Sequence, residues 1–462
     1  MTHFLRPIAA MMHKLTTPIG RRLLDGGVWT LAGETGTRAL TFFASVVVAR
    51  VLGLSEFGQF ALVQSTLMTF MTFAAFGMGQ TSSRYIAASR NANPRRISQL
   101  SSLTLGLSII TGLAAAVFLL LMAPTLSKNY LAMPTLAGPL RIAAPALLCY
   151  AVTGAVTGII TGFEGFRRLA MVTWVGSFAN FAAIVVGAFF FGLTGAVAGL
   201  LASELIRGVL ITRLAHIIMR ENGLSLIESS GFSEIGLLWR FSLPSLLSGM
   251  LHVPVFWLCQ LLVAGEPNGM EQLGLYDAAQ KCMTLVTFVP GAASGAVGPV
   301  LASLSGSGQA SSHRRLTLTI AAIQAATCAG PAFVVMLVAP LAMGVFGAEF
   351  VTGAAATVTL MFAAPIVVVV RLLWQALLSI ERAWTSFFLW LLWAFTALFL
   401  TWMWRGEGAN GLAHAMLFSY ALIAIGYLAV LLKAWSSQEG CPPISFRWDW
   451  KLELKGSKIA GK

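Results

Sequence analysis

Long apolar segments alternate along the chain with short stretches of polar residues, glycine and proline. A helix that crosses a membrane needs roughly 20 mostly apolar residues, and twelve segments meet that length. The predicted spans are 27–52, 55–80, 98–122, 139–161, 169–191, 194–219, 236–263, 272–301, 316–342, 352–380, 383–404 and 408–433. The pattern therefore predicts an all-α, polytopic membrane protein with about twelve transmembrane helices.

Composition supports a bilayer rather than water as the solvent. Hydrophobic residues make up 57% of the chain, charged residues 10%, and the mean hydropathy is +0.81, whereas soluble domains carry about 25% charged residues. The first 26 residues are basic and lack a compact apolar core followed by a small-residue cleavage site. We therefore expect a retained cytosolic tail rather than a signal peptide.

The positions of lysine and arginine orient the helices. With a cytosolic N-terminus, 22 of the 30 basic residues fall in segments on the cytosolic side, and only Arg50, Lys128, Arg141 and Arg405 fall outside. Positive charge is retained in cytosolic loops, so this asymmetry predicts that both termini lie in the cytosol. It also accounts for the net charge of +13 by contact with anionic lipid headgroups.

The second half of the chain repeats the first at an offset of about 216 to 220 residues. Gly58 aligns with Gly274 and Gln64 with Gln280. The aligned segments are "EFGQFALVQ" with "QLGLYDAAQ", "NPRRISQL" with "SHRRLTLT", "AAPALL" with "AAPIVV", and "LTGAVAG" with "ANGLAHA". Six helices per half insert in the same direction, so a pseudo-two-fold axis along the membrane normal should relate the halves.

This repeat divides the chain into two bundles with short extensions. The predicted segments are a cytosolic tail over 1–26, a six-helix bundle over 27–220, a cytosolic linker over 221–235, a second six-helix bundle over 236–434, and a cytosolic tail over 435–462. In many transporters the substrate lies between two such halves.

The sequence lacks the residue patterns of several kinds of functional site. The five cysteines form no CxxC pair, the six histidines have no metal-ligand spacing, and no Walker A sequence is present, so we expect no cofactor, metal or ATP. Basic residues are not interleaved with stacking aromatics, so we expect no nucleic-acid partner. The longest outer loop, 123–138, contains neither an acid nor a histidine, which disfavours a membrane polysaccharide polymerase or ligase.

Three motifs in the first half resemble a known family. They are "ARVLGLSEFGQFALV" (49–63), the basic "RYIAASRNANPRR" (84–96) and "GFEGFRR" (162–168). Together they resemble the Wzx-type polysaccharide and O-antigen flippases of the multidrug/oligosaccharidyl-lipid/polysaccharide (MOP) exporter superfamily. The likeness is strongest over 25–215, and "AGEPNGMEQLG" in the second half departs from it.

The resemblance implies two six-helix bundles around a central, often cationic cavity in a bacterial inner-membrane protein. It implies ion-gradient-driven translocation of an undecaprenyl-diphosphate-linked oligosaccharide of O-antigen, capsule or exopolysaccharide, and no catalysis. Glycosyltransferases, a polymerase and a chain-length regulator of the same pathway would be the partners.

Charged residues inside predicted spans indicate a structural or functional role, because a charge at mid-bilayer costs roughly 2.5–3.5 kcal/mol on insertion scales. Glu34 and Arg38 are four residues apart and share a helix face, either as a neutralising pair or with Arg38 binding a diphosphate. Arg371 has no acidic neighbour within one turn of its helix. Arg38 and Arg371 are therefore the leading candidates for contact with the diphosphate, with Glu34 holding Arg38 or carrying a proton.

Other polar residues in the spans have two interpretations each. Two further pairs are either structural ion pairs or groups for ion coupling and substrate contact: Glu204 with Arg207, and Asp277 with Lys281. Arg141 either guides sugar release or extends to the membrane interface.

The seventh span combines a histidine with two prolines. His252 lies between Pro244 and Pro254, so we expect either a buried, hydrogen-bonded histidine or a proton relay next to a kinked hinge. In the fourth span, Gly154, Gly158 and Gly162 share one face, which favours close helix packing or a sliding seam.

Two other kinds of transported substrate are compatible with this superfamily. A multidrug cation antiporter of the same superfamily would need unpaired buried carboxylates, but the three acids inside the spans all have basic neighbours. A flippase for peptidoglycan precursor often carries helices beyond twelve, which this chain does not predict.

The predicted topology can be tested with reporter fusions. Alkaline phosphatase fused after residue 130 or 267 should be active, because both positions are predicted to lie outside the cytosol. Fusions after residue 230 and at the C-terminus should be inactive. Activity at the C-terminus together with an inactive N-terminal fusion would contradict the even number of spans.

Overall fold

A computed structural model describes residues 18–75, 77–89, 94–131, 133–226, 251–306 and 309–438 of the chain. All of the regular structure in these ranges is helical. Eight helical stretches are long and apolar enough to cross a bilayer, and two of them, Trp29–Ala88 and Phe166–Glu221, run for 60 and 56 residues. Each of those two long stretches folds back at a break in helical geometry and crosses twice.

Among the described residues, the first half contains six helices, named here in chain order. They are α1 (Pro18–Ala75), α2 (Met78–Ser89), α3 (Pro94–Asn129), α4 (Ala137–Ala143), α5 (Ala146–Gly162) and α6 (Phe166–Glu221), with a 3-10 turn at Pro134–Leu136 before α4. Helix α1 reverses at Gly53 (φ 74°), and α6 reverses at Phe191 and Gly192. Both breaks lie at the outer side of the membrane.

The part of the second half that the structure describes contains seven helices. They are α7 (His252–Ala264), α8 (Gly269–Gly306), α9 (Ala310–Leu337), α10 (Ala339–Gly344), α11 (Ala354–Ser379), α12 (Ala383–Trp404) and α13 (Ala409–Gln438), with 3-10 turns at Ala348–Gly353 and Arg405–Glu407.

These helices follow the predicted spans with a few local differences. The predicted break between 52 and 55 is the turn at Gly53, and the break between 191 and 194 is the turn at Gly192. The second span was predicted to reach residue 80, but α1 ends at Ala75 and α2 starts separately at Met78. Of the seventh span, the structure describes only the part from residue 251 onward. The all-α membrane class is confirmed, and the reversals within the two long stretches agree with a count of about twelve spans.

Lipid-facing surfaces are rich in large apolar side chains. Phe189, Phe190, Phe191, Leu121 and Leu341 are each at least 69% exposed. A soluble monomer rarely exposes a continuous apolar surface of this kind, whereas acyl chains solvate it without cost. The exposed apolar surface and the span lengths therefore indicate the same solvent.

The backbone reproduces the predicted duplication. Gly192 (φ 59°) and Gly408 (φ 60°), 216 residues apart, both reverse the chain in front of the last helix of their half. Glu164 (φ 60°) and Glu381 (φ 61°), 217 residues apart, adopt the left-handed conformation, which is uncommon for a residue other than glycine. Two copies of one topology explain why an unfavourable glutamate conformation recurs at this offset.

A side chain also stabilises the same outer turn in each half. Gln272 Oε1 accepts a 3.0 Å hydrogen bond from the backbone N–H of Ala409, at the start of α13. Its counterpart Glu56 places Oε2 3.5 Å from the position of a Cβ on Gly192. The corner after the first helix of each half therefore packs on the turn before its last helix.

The two halves meet at their outer ends through equivalent glycines. A Cβ on Gly58 would overlap the carbonyl oxygen of Met270 and lie 2.9 Å from the backbone nitrogen of Gly274. Reciprocally, a Cβ on Gly274 would overlap the carbonyl oxygen of Leu54 and lie 3.3 Å from the Gly58 nitrogen. The pseudo-two-fold axis therefore passes between these two glycines, where the backbones of α1 and α8 are in contact.

Aromatic and polar contacts surround this point. Phe57 packs edge-on against Phe350 with ring centroids 5.7 Å apart, and it also contacts Phe346 at 6.5 Å. Arg50 Nε donates a 2.8 Å hydrogen bond to the carbonyl of Val345. Deeper in the membrane, Trp257 Nε1 donates to Thr66 Oγ1 at 2.9 Å. The outer ends of the two halves are thus held together by both apolar and polar contacts.

A buried histidine ties together the cytosolic end of the second half. Trp435 Nε1 on α13 donates to His313 Nδ1 at 3.0 Å, so the proton of the neutral ring lies on Nε2, which is 2.8 Å from Ser379 Oγ on α11. His313 is 1% exposed. One side chain on α9 therefore fixes the spacing of three helices.

The glycine contact at the axis predicts the effect of one added methyl group. Gly58→Ala should destabilise the detergent-purified protein by about 1–3 kcal/mol, because the Cβ overlaps backbone that cannot rotate away. Thermal unfolding measures the loss. Gly106→Ala on α3 is the control, since a Cβ there has no neighbour within 4 Å and alanine is favoured over glycine in a helix. Equal stability of the two variants would contradict the backbone contact.

Candidate functional site

Arginines from both halves converge on α8. The Arg38 guanidinium, from α1, lies over the ring of Phe288 with its Cζ 4.7 Å from the centroid. Arg371 Nη1, from α11, lies 3.7 Å from the position of a Cβ on Gly291. Residues three apart are neighbours on a helix surface, so the two guanidinium groups contact adjacent positions of α8.

The electrostatic surroundings of the two arginines differ. Glu34 Oε2 lies 3.6 Å from Arg38 Nη2, too far for a hydrogen bond, so the carboxylate screens the charge without fixing the side chain. Arg371 is exposed, and none of the described acidic side chains forms an ion pair with it. A guanidinium inside a membrane span without a counterion favours binding of an anion. Arg38 and Arg371, one from each half, lie at neighbouring positions of α8 and are here called the arginine pair.

Each half also contains a cavity. The larger one, in the first half, has a volume of about 270 Å³, and the smaller one, in the second half, has about 40 Å³. Their walls are related by the repeat. Phe60, Gln64, Leu67, Leu200 and Glu204 of the larger cavity correspond to Tyr276, Gln280, Met283, Met416 and Tyr420 of the smaller one. The cavities therefore occupy equivalent places in the two bundles.

The larger cavity, here called the N-terminal cavity, contains an ion pair. Arg207 Nη2 donates to Glu204 Oε2 at 2.6 Å, and the side chains are 30% and 14% exposed. The Arg207 guanidinium also lies 5.8 Å from the ring centroid of Tyr150. These are the charged residues that line the described cavity wall, so the cavity has no net formal charge.

Hydrogen bonds between helices shape the same cavity. Asn180 Nδ2 donates to Ser203 Oγ at 2.8 Å within α6, across its reversal at Gly192. Thr37 Oγ1 on α1 and Ser177 Oγ on α6 are 2.8 Å apart. These bonds hold the cavity wall in one arrangement.

The smaller cavity is filled by aromatic side chains. His252 Nε2 and the Tyr420 hydroxyl form a 2.5 Å hydrogen bond, and Trp393 stacks on the His252 ring at 5.0 Å. Gln280 Oε1 is buried without a hydrogen-bond partner in the described structure. Of the two interpretations of His252 from sequence, the geometry shows the hydrogen-bonded one, with the histidine half-buried; a role in proton transfer stays a prediction.

The remaining predicted residues lie apart from the arginine pair. Lys281 Nζ is 3.5 Å from Asp277 Oδ2 on α8. Arg141 is exposed on α4 at the outer side. Pro254 lies in the first turn of α7, and Pro244 falls outside the described residues.

The three glycines of the fourth span lie on α5 and face α2 to different degrees. A Cβ on Gly158 would overlap the carbonyl oxygen of Gly79, and one on Gly162 would lie 2.9 Å from Ile86 side-chain carbons. A Cβ on Gly154 has no neighbour within 4 Å, although a Cβ on Gly79 would lie 2.7 Å from the Gly154 carbonyl oxygen. The motif thus brings two helices into backbone contact.

Sequence reasoning did not identify several residues of these sites. Phe288 and Gly291 are unremarkable in sequence, since an aromatic or a glycine in an apolar span is ordinary. Tyr150 and Asn180 could have been identified from sequence, because each is an isolated polar side chain within a predicted span. Among the described residues, no three His, Cys, Asp or Glu side chains are grouped so that they could bind a metal.

Comparison with known proteins identifies the family of this chain. Residues 23–305 match the model of the family described as polysaccharide biosynthesis protein. The EPS I polysaccharide export inner membrane protein EpsE of Ralstonia nicotianae is 23% identical over 376 residues, covering 79% of this chain and 83% of the relative.

Solved structures show the fold. An inward-facing multidrug resistance MATE transporter of the MOP superfamily has a TM-score of 0.71 at 16% identity, covering 89% of this chain and 99% of that one. The lipid II flippase MurJ in its inward closed conformation has a TM-score of 0.69 at 14% identity, covering 88% of this chain and 87% of that one. The protein is a multi-pass inner-membrane protein with the fold of the MOP superfamily, and the chain belongs to the polysaccharide biosynthesis protein family.

Proposed function

We propose that this protein is a flippase that moves an undecaprenyl-diphosphate-linked oligosaccharide across the inner membrane. The observation that supports the proposal is the arginine pair, in which Arg38 of the first half and Arg371 of the second half contact neighbouring positions of α8. A diphosphate diester carries two negative charges, and two guanidinium groups complement them with charge-assisted hydrogen bonds. Guanidinium groups also keep their charge at any physiological pH.

The distribution of the two arginines suits alternating access. Because one arginine belongs to each half, a rocking motion of the halves changes their separation, and with it the strength of diphosphate binding. The outer ends of the halves are held together by the Gly58–Gly274 contact and the phenylalanine contacts around it. A diphosphate at the arginine pair would therefore be separated from the outer side until these contacts open.

The membrane-embedded acids argue against a cation antiporter of the same superfamily. Such a transporter needs a carboxylate free to bind a cation or proton. In the described spans, Glu34, Glu204 and Asp277 each lie within 3.6 Å of a basic side chain. Their pairing favours an anionic cargo over a cationic one.

The relative's name agrees with this cargo class. EpsE is named as a polysaccharide export protein, and MurJ is named as a lipid II flippase. We propose that the present chain likewise handles a lipid-linked saccharide from an exopolysaccharide, capsule or O-antigen pathway. Glycosyltransferases, a polymerase and a chain-length regulator of that pathway would then be its partners.

We propose a transporter rather than an enzyme. Glu266 and Glu271 lie five residues apart in sequence, between α7 and the first turn of α8, and Glu266 is occupied by a 2.9 Å ion pair with Arg405. A glycosyl-transfer site needs two carboxylates placed on either side of a sugar bond, which two residues of one short connection do not provide.

Ion-gradient coupling belongs to the proposal as well. Glu34, Glu204, Asp277 and His252 are its candidate groups, and each now has a defined neighbour in Arg38, Arg207, Lys281 and Tyr420. A protonation or cation-binding event at any of these groups would alter an existing pair.

Replacing either arginine of the pair should slow translocation. We expect Arg38→Gln and Arg371→Gln each to reduce the initial rate at least tenfold, because each removes a charge-assisted bond worth about 1.5–3 kcal/mol. The rate is measured in proteoliposomes with a fluorescent undecaprenyl-diphosphate oligosaccharide.

Arg213→Gln is the matched control, since it removes an exposed arginine of α6 that forms no ion pair with the described residues. It should keep at least half of the parent rate. Parent-like rates in both arginine-pair variants would refute the site, and absence of translocation by the parent would refute the function.

A further inference from the structure

Neither residue of the arginine pair lines the N-terminal cavity, which is the larger of the two cavities described above. Its volume of about 270 Å³ is small beside the about 300–1,000 Å³ of pockets for drug-sized ligands. It therefore has room for one small group rather than for an oligosaccharide. The hydrogen-bonding groups on its wall indicate which group.

The hydroxyl groups on the wall of the N-terminal cavity are available mainly as hydrogen-bond acceptors. Thr41 and Ser45, four residues apart on α1, donate their protons to the carbonyls of Thr37 at 2.8 Å and Thr41 at 2.9 Å. Ser203 on α6 donates to the Leu200 carbonyl at 2.7 Å. With their protons committed to the helix backbone, Thr41 and Ser45 keep both lone pairs for a ligand, whereas Ser203 keeps one because it also accepts from Asn180 Nδ2.

Two side-chain amides add to this surface. Asn180 uses its Nδ2 for the bond to Ser203, and its Oδ1 has no partner among the described residues. Gln64 lines the cavity from the second part of α1, and its amide likewise has no partner in the described structure. Amide oxygens at these positions accept hydrogen bonds from a ligand, and the Gln64 nitrogen can donate one.

An acceptor-rich wall suits a polyol. A diphosphate offers only acceptors and would meet unpaired lone pairs here, whereas each hydroxyl of a sugar donates one hydrogen bond. The Glu204–Arg207 pair is closed at 2.6 Å, so its carboxylate is neutralised and a nearby guanidinium repels an inorganic cation. Phe60 and Tyr150 supply apolar surface for the C–H face of a sugar ring.

The cavity lies next to the arginine pair along α1. With a rise of 1.5 Å per residue, Thr41 and Ser45 lie about 4.5 and 10 Å closer to the outer side than Arg38. The first sugar of a diphosphate-linked lipid is bonded directly to the diphosphate. With a diphosphate at Arg38, that sugar reaches the height of Thr41 and Ser45 when it points toward the outer side.

We infer that the N-terminal cavity is a saccharide pocket, which binds the first sugar of the lipid-linked substrate while Arg38 contacts its diphosphate. This inference rests on the proposed function. It assigns the diphosphate to the arginine pair and the discrimination between sugars to the cavity.

Binding of paired lipids to the purified protein in nanodiscs tests the inference. The probes are undecaprenyl diphosphate and undecaprenyl diphosphate bearing glucose, galactose or N-acetylglucosamine, each competing with a fluorescent lipid-linked oligosaccharide. The protein should bind at least one sugar-bearing lipid tenfold or more tighter than the sugar-free lipid. Thr41→Val and Gln64→Leu should each reduce that preference at least threefold and change the Kd of the sugar-free lipid by less than twofold.

Thr327→Val is the matched control. Thr327 on α9 is exposed, like Thr41, and donates the same kind of bond to the carbonyl four residues earlier, at 2.7 Å. Its replacement should leave the sugar preference unchanged. Arg38→Gln should weaken both lipids by the same factor, because the diphosphate is common to them.

The outcomes separate the pocket from the proposed function. If the sugar-free lipid binds but sugar gives no preference, or if both cavity variants keep the preference, the saccharide pocket is wrong and the flippase proposal stands. Variants that alter a Na⁺ dependence of binding, with sugar preference intact, identify a cation site and also overturn the pocket. If the parent protein binds neither lipid, both proposals fail.

Discussion

A charged side chain within the bilayer must be paired or must face a polar cavity, and this constraint organises the molecule. Lipid cannot solvate a guanidinium or carboxylate, and placing one at mid-bilayer costs a few kcal/mol even after local adjustment. In the described spans, Glu204 pairs with Arg207 and Asp277 pairs with Lys281. Arg371 has no acid partner among the described residues and lies exposed beside α8, which makes it the side chain that an anionic ligand would neutralise.

The scaffold is duplicated, but the polar groups are not. Residues that fix the backbone recur at an offset of 216, including Gly58 with Gly274 and Gly192 with Gly408. At the cavities the copies have diverged: Ser177 and Glu204 of the first half are replaced by Trp393 and Tyr420 in the second. The two large aromatic side chains fill the space that small and charged ones leave open, which explains volumes of about 40 and 270 Å³.

Sequence alone predicted the fold well because the dominant signals are local. Length and hydropathy gave the twelve spans, and the outer turns at Gly53 and Gly192 fell at the predicted breaks. The separate helix α2 was missed, because residues 81–89 lack the sustained apolar pattern of a span and were predicted to lie in a cytosolic connection. The glycine spacing predicted close helix packing at Gly158. It did not predict that Gly79 on α2 is the neighbour, because the periodicity of one helix does not identify the helix packed against it.

The candidate sites were less accessible to sequence reasoning. In-span arginines are rare and could be named from sequence, so Arg38 and Arg371 were recognised individually. That they meet on α8 depends on three helices from two halves, which no local pattern encodes. The acceptor-rich wall of the N-terminal cavity was missed for a related reason: serine and threonine in a membrane helix usually bond their own backbone, and only their convergence across α1 and α6 distinguishes this cavity.

Divergence of the two halves has a functional consequence. A rocking mechanism benefits from symmetry, because equivalent helices exchange roles as one side closes and the other opens. A lipid-linked saccharide is itself asymmetric, with a charged diphosphate next to a neutral, hydroxyl-rich sugar. A symmetric cavity would offer the same chemistry to both parts. Placing guanidinium groups at α8 and an acceptor-rich wall in the first half gives each part of the proposed cargo a complementary surface, while the duplicated backbone retains the geometry for movement.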